Sequence, residues 1–382
     1  TGHAVACALD TMPQLEGVVV VTYGDVPLLA PDTLTDLVAR HVDDGNAVTV
    51  LTAEVEDPTG YGRIVRDADG GVRGIVEHKD ATPYVLDIRE INSGIYAFDA
   101  AVLSNCLSRL STDNAQGELY LTDVLGMART DGRRVGAHAT NDSWQTEGVN
   151  DRVQLAALLR ELNRRVLERW MRAGVSVIDP ATTWVDVTVK LGRDVVLRPG
   201  VQLHGSTTAD DGAEIGPDST LVDCIVGAGA SVARTHARGA EIGPECSVGP
   251  FTYLRPGARL ARAAKAGAFV EIKASTLGEG SKVPHLSYVG DAEIGARSNI
   301  GAATVIVNYD GVAKHRTVIG DYTRESLPFM IAVSAVTLVL IFVPEIVLWI
   351  PDLIFGNEGA GLSRALLDAV EGPMLGDPYV AP

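Results

Sequence analysis

The sequence has few cysteines, few aromatics and no long basic run. Cys7, Cys106, Cys224 and Cys246 match neither a CxxC motif nor a zinc spacing, and a 382-residue chain needs no disulfide to hold its core. Four unpaired thiols suit a reducing compartment, so the expected location is the cytoplasm. The net charge is −17, with no basic stripe to set against it, which excludes nucleic acid as a partner. Anionic small molecules are not excluded. They must be held locally, by a few placed Arg, Lys and backbone N–H groups. The chain opens Thr1-Gly2-His3, with no Met, no basic leader and no signal peptide, as if cut into rather than begun.

What is present falls into regions. Residues 1–150 alternate strand-like and helix-like stretches: a β-branched run from Gly17 to Thr22, a helical pattern from Pro31 to His41, and a buried run from Ala47 to Thr52. Strands alternating with helices predict a parallel α/β sheet, with ligands at the carboxyl ends of its strands, and Asp25 stands at such an end. Residues 151–179 predict a linker helix, with an apolar stripe of Leu155, Leu159, Leu162, Val166 and Trp170 and a stop at Gly174. From about residue 180 the period changes. Aliphatic–Gly pairs recur at 191–192, 215–216, 226–227, 242–243, 248–249, 277–278, 294–295, 300–301 and 319–320, several of them at multiples of six. One inward aliphatic residue per hexapeptide predicts a parallel β-helix over residues 180–326.

Six motifs follow in order in the first region: Tyr23-Gly-Asp-Val-Pro-Leu28, Gly60-Tyr-Gly-Arg-Ile64, Ile75-Val-Glu-His-Lys-Asp80, Glu90-Ile-Asn-Ser-Gly-Ile95, Asn114-Ala-Gln-Gly-Glu118 and Glu147-Gly-Val-Asn150. A lone Asp after a strand is ordinarily a helix cap. The ordered series, continued by hexapeptides, resembles the bacterial bifunctional N-acetylglucosamine-1-phosphate uridyltransferase/glucosamine-1-phosphate acetyltransferase family, from residue 1 to about residue 326. That resemblance implies a truncated Rossmann-like nucleotidyltransferase domain, a linker helix and a left-handed parallel β-helix. It implies Asp25 and Asn150 as Mg2+ ligands, with UTP as co-substrate. Thr1, Gly2, Tyr23 and Gly24 would belong to the uridine pocket, and Gly62, Glu77 and Asn92 would bind the N-acetylglucosamine moiety. The family's Gly-rich phosphate loop precedes the first residue of this sequence, so the uridyltransferase half is expected to be impaired.

A second series lies in the hexapeptide region: Tyr253-Leu-Arg-Pro256, Phe269-Val-Glu-Ile-Lys273, Ser281 to Gly290, Ser298-Asn-Ile-Gly301 and Val307-Asn-Tyr-Asp-Gly311. It resembles the family's acetyltransferase site. His285 is then the general base, since imidazole titrates near working pH. Arg255 and Lys273 would hold the sugar phosphate, Tyr288 and Asn299 would position the sugar, and Ala302, Asn308 and Tyr309 would line the acetyl-CoA site. A lone loop histidine is ordinarily just solvated. His3, His78 and His315 receive no catalytic role, Lys282 is taken as a surface charge, and His204 and His236 are expected in solvated turns. The family also implies a homotrimer, and a product that feeds cell-wall synthesis.

The family pattern stops near residue 326. Leu327 to Pro344 carries no charge and weakly resembles the last span of a TRAP-type transporter permease. It is open to three readings: a membrane anchor, confined to residues 327–350; buried β-structure; or a junction with unrelated sequence. Two functions therefore compete. One is the bifunctional enzyme of UDP-N-acetylglucosamine synthesis. The other is a catalytically inactive or membrane-tethered β-helix trimer that binds sugar phosphates. A different sugar-phosphate nucleotidylyltransferase with a hexapeptide tail is disfavoured by the motif around His285.

Overall fold

The computed structural model describes residues 1–12, 15–320 and 322–342. The chain divides into two units, one spanning Thr1–Arg165 and the other the residues from Val166 onward.

In the first unit the strands are β1 (Val18–Val21), β2 (Val48–Glu54), β3 (Arg63–Arg66), β4 (Val72–Val76), β5 (Glu90–Asp99) and β6 (Val135–Thr140). They form one sheet in the order β4-β3-β5-β2-β6, with β1 also on β5. Only β2 and β6 run parallel; β1–β5, β2–β5, β3–β4 and β3–β5 are antiparallel. The expected parallel sheet is thus corrected to a mixed one. β3 and β4 are joined only by residues 67–71, too short for a crossover, so they pair antiparallel.

The helices are α1 (Gly2–Asp10), α2 (Pro31–Asp43), α3 (Pro83–Leu86), α4 (Ala100–Leu107), α5 (Asp123–Thr130), α6 (Arg152–Arg172) and α7 (Tyr322–Phe342). Side chains alternate across a strand, so β2 feeds two cores. Val48 and Val50 pack with Tyr96, Phe98, Leu103, Val124 and Leu125, under α4 and α5. Leu51 packs on the other face with Leu37, Ile95 and Ala97, under α2. Pro31 at the first turn of α2 fixes its entry.

Helix α6 falls within the helix expected over residues 151–179, but only part of the expected stripe is inward. Val166 is buried and Leu162 and Trp170 are half-buried, whereas Leu155 and Leu159 are exposed and Leu158 and Leu167, outside the stripe, are buried. Glu161 is also buried, and it accepts from Arg164 and Arg165.

The second unit is a parallel β-solenoid of strands two to nine residues long. Its core consists of columns built from neighbouring coils. Leu203, Leu221, Ala237, Leu254, Ile272 and Val289 stand in one column. Ala209, Val226, Ile242, Leu260, Leu277 and Ile294 stand in another. All twelve are buried. The hexapeptide expectation is therefore borne out: the recurring aliphatic residue is the inward one. One corner of the coil turns through left-handed residues at Arg234, Phe251, Phe269, Leu286 and Ala303. The Phe251 and Phe269 rings stack there at 5.2 Å.

His204 and His236 lie on strands, not in turns. His204 sits 3.2 Å from Asp186, and His236 packs against Tyr253. Cys7 is exposed, and Cys106, Cys224 and Cys246 are buried; all four are free.

Over residues 327–342, helix α7 replaces the reading as β-structure. Its side chains from Leu327 to Ile341 are exposed. Among the described residues no helix is long and apolar enough to cross a membrane. Residues 343–382, including the rest of the apolar run and the tail, lie outside the described residues.

Candidate nucleotide-sugar and acetyl-transfer sites

The antiparallel register builds the first site. Arg63 of β3 faces Val76 of β4 and Ile91 of β5. One step further along, Gly62, Glu77 and Asn92 fall on one row across three adjacent segments. The Asn92 N–H donates to the Gly62 carbonyl at 2.8 Å. A Cβ on Gly62 would sit 3.4 Å from Glu77 Oε2 and 3.2 Å from Ile75, so glycine leaves the row its opening. The three expected sugar ligands are thus brought together.

Their hydrogen bonds orient them. Asn92 Oδ1 accepts from the Tyr96 hydroxyl at 2.8 Å and from the Gly94 N–H at 2.9 Å, so its amide NH2 remains to donate. The Thr122 hydroxyl donates to Glu77 Oε1 at 3.2 Å. Burial pushes the Glu77 carboxyl above its usual range, the Thr122 bond opposes this, and the Asp80 and Asp123 charges add to it. The turn after Glu77 is tied to the Asn114–Glu118 loop, because Asp80 accepts from the Ala115 N–H at 3.0 Å and the Tyr120 hydroxyl at 3.3 Å.

Tyr23 lies across β5 at Gly94. Gly94 has φ +76°, and a Cβ there would meet the Tyr23 ring at 1.8 Å. Burial raises the Tyr23 phenol, with the charges of Glu77 and Asp25 acting the same way. Asp25 follows β1 in a turn, as expected. Its carbonyl accepts from the Val149 N–H at 2.9 Å, which sets it against the loop leading to Asn150. That loop is braced by the Tyr61 hydroxyl, which donates to Glu147 at 3.1 Å; burial and this carboxylate push Tyr61 up to about 12. Asn150 is exposed, and its own N–H is taken by Gln154 at 2.7 Å. Thr1 and Gly2 open α1 against another segment: the Gly2 N–H donates to Leu119 at 2.8 Å, and Thr1 Oγ1 accepts from Leu121. Gly24 sits in the exposed turn beside Asp25.

The donors at Asp25 and Asn150 are a carboxylate and an amide oxygen. This hard, sparse set suits Mg2+, which keeps waters and phosphate oxygens in its shell. Among the described residues no group of three or more His, Cys, Asp or Glu side chains could hold a metal by itself.

The second site is laid out by two long parallel strands, Lys265–Lys273 and Lys282–Gly290. Their register pairs Glu271 with Tyr288 and Lys273 with Gly290, while the preceding coil pairs Tyr253 with Glu271. Arg255 donates to Glu271 at 3.0 Å, and Lys273 donates to Asp291 at 2.8 Å. These carboxylates raise both cations. Tyr288 pairs with Glu271, the partner of Arg255, and Lys273 lies two residues further along the same strand, so the register puts Arg255, Tyr288 and Lys273 on one face. Asp291 also accepts from Asn308, which links a phosphate-binding candidate to an acetyl-CoA candidate. Lys273 and Asn308 hold the Asp291 carboxyl below its usual range.

His285 is exposed and stands opposite Ala268, ahead of the Leu286 corner, whereas Tyr288 follows that corner. Asn299 lies in the next coil, bridged to Lys282. Ala302 is exposed in a turn. Tyr309 is exposed and donates to the Gly311 carbonyl at 2.7 Å. Lys282 is exposed, as expected.

Sequence reasoning assigns no role to Gly94, Thr122, Asp291 or Arg63. Gly94 and Arg63 lie inside quoted motifs, and Asp291 follows one by a single residue. Nothing local marks Thr122, whose partner is 45 positions away.

Comparison with known proteins bears on both sites. A nucleotidyl transferase family model matches residues 1–187. Proteins named bifunctional protein GlmU are similar over 85% of this chain: 58% identical in Corynebacterium efficiens and 61% in Kineococcus radiotolerans, covering 67% and 66% of those proteins. The Micrococcus luteus protein of the same name is 60% identical, with 85% of this chain and 67% of that one covered. The chain thus spans about two thirds of the length of these relatives. A solved structure of a putative glucose-1-phosphate thymidylyltransferase from Bacillus anthracis aligns over 41% of this chain and 58% of that one, at 20% identity and a TM-score of 0.32, too low to bear on function. With such identity running through both units, the chain belongs to the bifunctional GlmU family, which joins N-acetylglucosamine-1-phosphate uridyltransferase to glucosamine-1-phosphate acetyltransferase in UDP-N-acetylglucosamine synthesis.

Proposed function

We propose that the solenoid of this chain transfers acetyl from acetyl-CoA to glucosamine-1-phosphate, and that its first unit binds UTP and N-acetylglucosamine-1-phosphate. The face that the strand register gives Arg255, Lys273 and Tyr288 is the observation that carries this reading. Two cations and a phenol on one face of an acidic chain suit a sugar phosphate. His285, one corner away, takes a proton from the sugar's amino nitrogen as that nitrogen attacks the thioester carbonyl. The C–N bond forms, the C–S bond breaks and coenzyme A leaves as the thiol. Asn299 orients the sugar, and Ala302, Asn308 and Tyr309 hold the acetyl-CoA.

In the first unit Gly62, Glu77 and Asn92 bind the N-acetylated sugar, and Thr1, Gly2, Tyr23 and Gly24 bind the uridine. Asp25 and Asn150 would hold Mg2+, which supplies charge neutralisation for phosphoryl transfer. The assignments of residues 1–150 as a partial uridyltransferase domain, 151–179 as linker and 180–326 as acetyltransferase domain belong to this proposal. So do a homotrimeric state and a cytoplasmic location.

Thiol release from acetyl-CoA in the presence of glucosamine-1-phosphate tests it. The unaltered chain should release thiol, and His285→Ala should lower turnover by about 10²-fold or more. An unaltered chain that releases none overturns the proposal.

A further inference from the structure

Arg63 begins β3, directly after the Gly62 of the sugar row. It is only 1% exposed, yet among the described residues it forms no ion pair with a carboxylate. A buried guanidinium ordinarily comes with one, because an uncompensated buried charge is costly. Its Nη1 donates to the Tyr61 carbonyl, its Nη2 lies 3.5 Å from His78 Nδ1, and its Nε has no partner among the described residues. Burial lowers the guanidinium below its usual value, and the Asp57 charge opposes this.

The same His78 Nδ1 also receives the Gly60 N–H, at 3.3 Å. Neither an amide N–H nor a guanidinium can accept a hydrogen bond. His78 Nδ1 must therefore carry the lone pair, with the proton of the neutral ring on Nε2. Two donors converge on one acceptor, one from Gly60 in the turn before Gly62 and one from Arg63 directly after it. The acceptor belongs to the residue after Glu77. The β3–β4 ladder ends at the Arg63–Val76 pair, so no ladder bond fixes Gly62 relative to Glu77. The cluster of Gly60, Arg63 and His78 bridges the two segments where the ladder stops.

We propose that Arg63 and His78 are positioning residues of the sugar subsite, a clamp that sets the opening between Gly62 and Glu77 for an N-acetylated hexose phosphate. The proposal rests on the sugar-site reading above. Arg63 is too buried to touch substrate, and it acts through the turn it holds. The clamp leaves Glu77 to face the ligand, because His78, its neighbour, is the residue that takes up the donors.

The test combines a ligand-free signature with binding. In the unaltered chain, 15N spectra of the imidazole should show His78 Nδ1 as the unprotonated, hydrogen-bonded nitrogen at pH 8. Arg63→Lys should shift that signal. UDP-N-acetylglucosamine binding by calorimetry should weaken about tenfold or more in His78→Leu and in Arg63→Lys, as expected for loss of the acceptor or of the guanidinium fork that reaches both His78 and the Tyr61 carbonyl. His78→Asn keeps an acceptor near the Nδ1 position and should bind within about threefold of the unaltered chain. Far-ultraviolet circular dichroism of His78→Leu should match the parent, which separates mispositioning from unfolding. Equal binding by His78→Leu and the parent overturns the clamp, as does equal weakening by His78→Leu and His78→Asn. A protonated Nδ1 in the parent overturns it without any ligand. A parent that shows the expected spectrum but binds no UDP-N-acetylglucosamine overturns the sugar-site reading, and the proposed role with it.

Discussion

Substituting Gly94 by Ala should damage the first unit in a way whose size follows from two separable causes. Gly94 has φ +76°, and a side chain in that region costs roughly 1–2 kcal/mol. The new Cβ would also sit 1.8 Å from Tyr23 Cε2 and 2.5 Å from Cζ, so the ring must leave β5. Overpacking of this kind costs about 1–3 kcal/mol, for a total of about 2–5 kcal/mol. A unit of this size loses about 2–4 °C of melting temperature per kcal/mol, so Gly94→Ala should lower its transition by on the order of 10 °C. Gly132 supplies the control. It has φ +72°, but a Cβ added there would meet no atom within 4 Å, so Gly132→Ala should show the backbone cost alone. Differential scanning calorimetry of the intact chain measures both, with the transition assigned by hydrogen exchange in Glu90–Asp99. In a Tyr23→Ala background the extra cost of Gly94→Ala should vanish, a coupling of about 1–3 kcal/mol. The reasoning is refuted if Gly94→Ala and Gly132→Ala melt alike, or if Tyr23→Ala gives no relief.

Three further outcomes are expected. Glu77 has a raised carboxyl, so relative to the unfolded chain its protonated form is favoured. That contribution is fully present below the ordinary carboxylate range and is lost as pH rises through the raised value, so Glu77→Gln should make the first unit more stable at pH 7 while abolishing sugar binding; urea melts at pH 4 and pH 7 check the sign. Lys273→Ala should raise the KM for glucosamine-1-phosphate about tenfold to a hundredfold with a smaller change in kcat, as read from initial rates, because a charge-assisted bond to the phosphate is lost. Under native conditions a thiol reagent should label Cys7 first, with Cys106, Cys224 and Cys246 reacting only after denaturation; simultaneous labelling of all four would contradict the buried positions of the last three.

How much is legible in the sequence depends on how locally each feature is encoded. In the solenoid a coil is a local unit, so Val226, Ile242, Leu277 and Ile294 announce their column simply by recurring before Gly. The first unit's sheet is different. Its strand directions depend on pairings such as Val21 with Tyr96 and Val48 with Phe98, which no local pattern carries. The resemblance supplies Gly62, Glu77 and Asn92, but not why they meet; the reason is a shared register row. Arg63 is illegible for a plainer reason, since an arginine in a strand is ordinarily a surface residue. The buried residues of α6 depart in part from its periodic stripe, because Leu155 and Leu159 have the right period but stay exposed, while Glu161 is buried through its bonds to Arg164 and Arg165. His204 and His236 read as turn residues because strands of three and four residues amid Gly and Asp look like turns.

The charge balance of the acetyl-transfer face follows from the same construction. A chain of net charge −17 that handles sugar phosphates must keep its cations poised without letting bulk acidity neutralise them for good. Arg255 and Lys273 are each held by one carboxylate from a neighbouring segment, Glu271 and Asp291. The Arg255 pair is more than a third exposed on both partners, and solvent screening leaves such a pair little net worth. It is strong enough to fix side-chain direction but weak enough to yield to a phosphate dianion, which offers more charge and more acceptors than one carboxylate. Asp291 is the more committed partner, because it also accepts from Asn308 and its pair with Lys273 is less exposed. On the proposed reading, a phosphate that draws Lys273 away leaves Asp291 bonded to Asn308, so the acetyl-CoA side would stay ordered while the sugar-phosphate side exchanges its ligands.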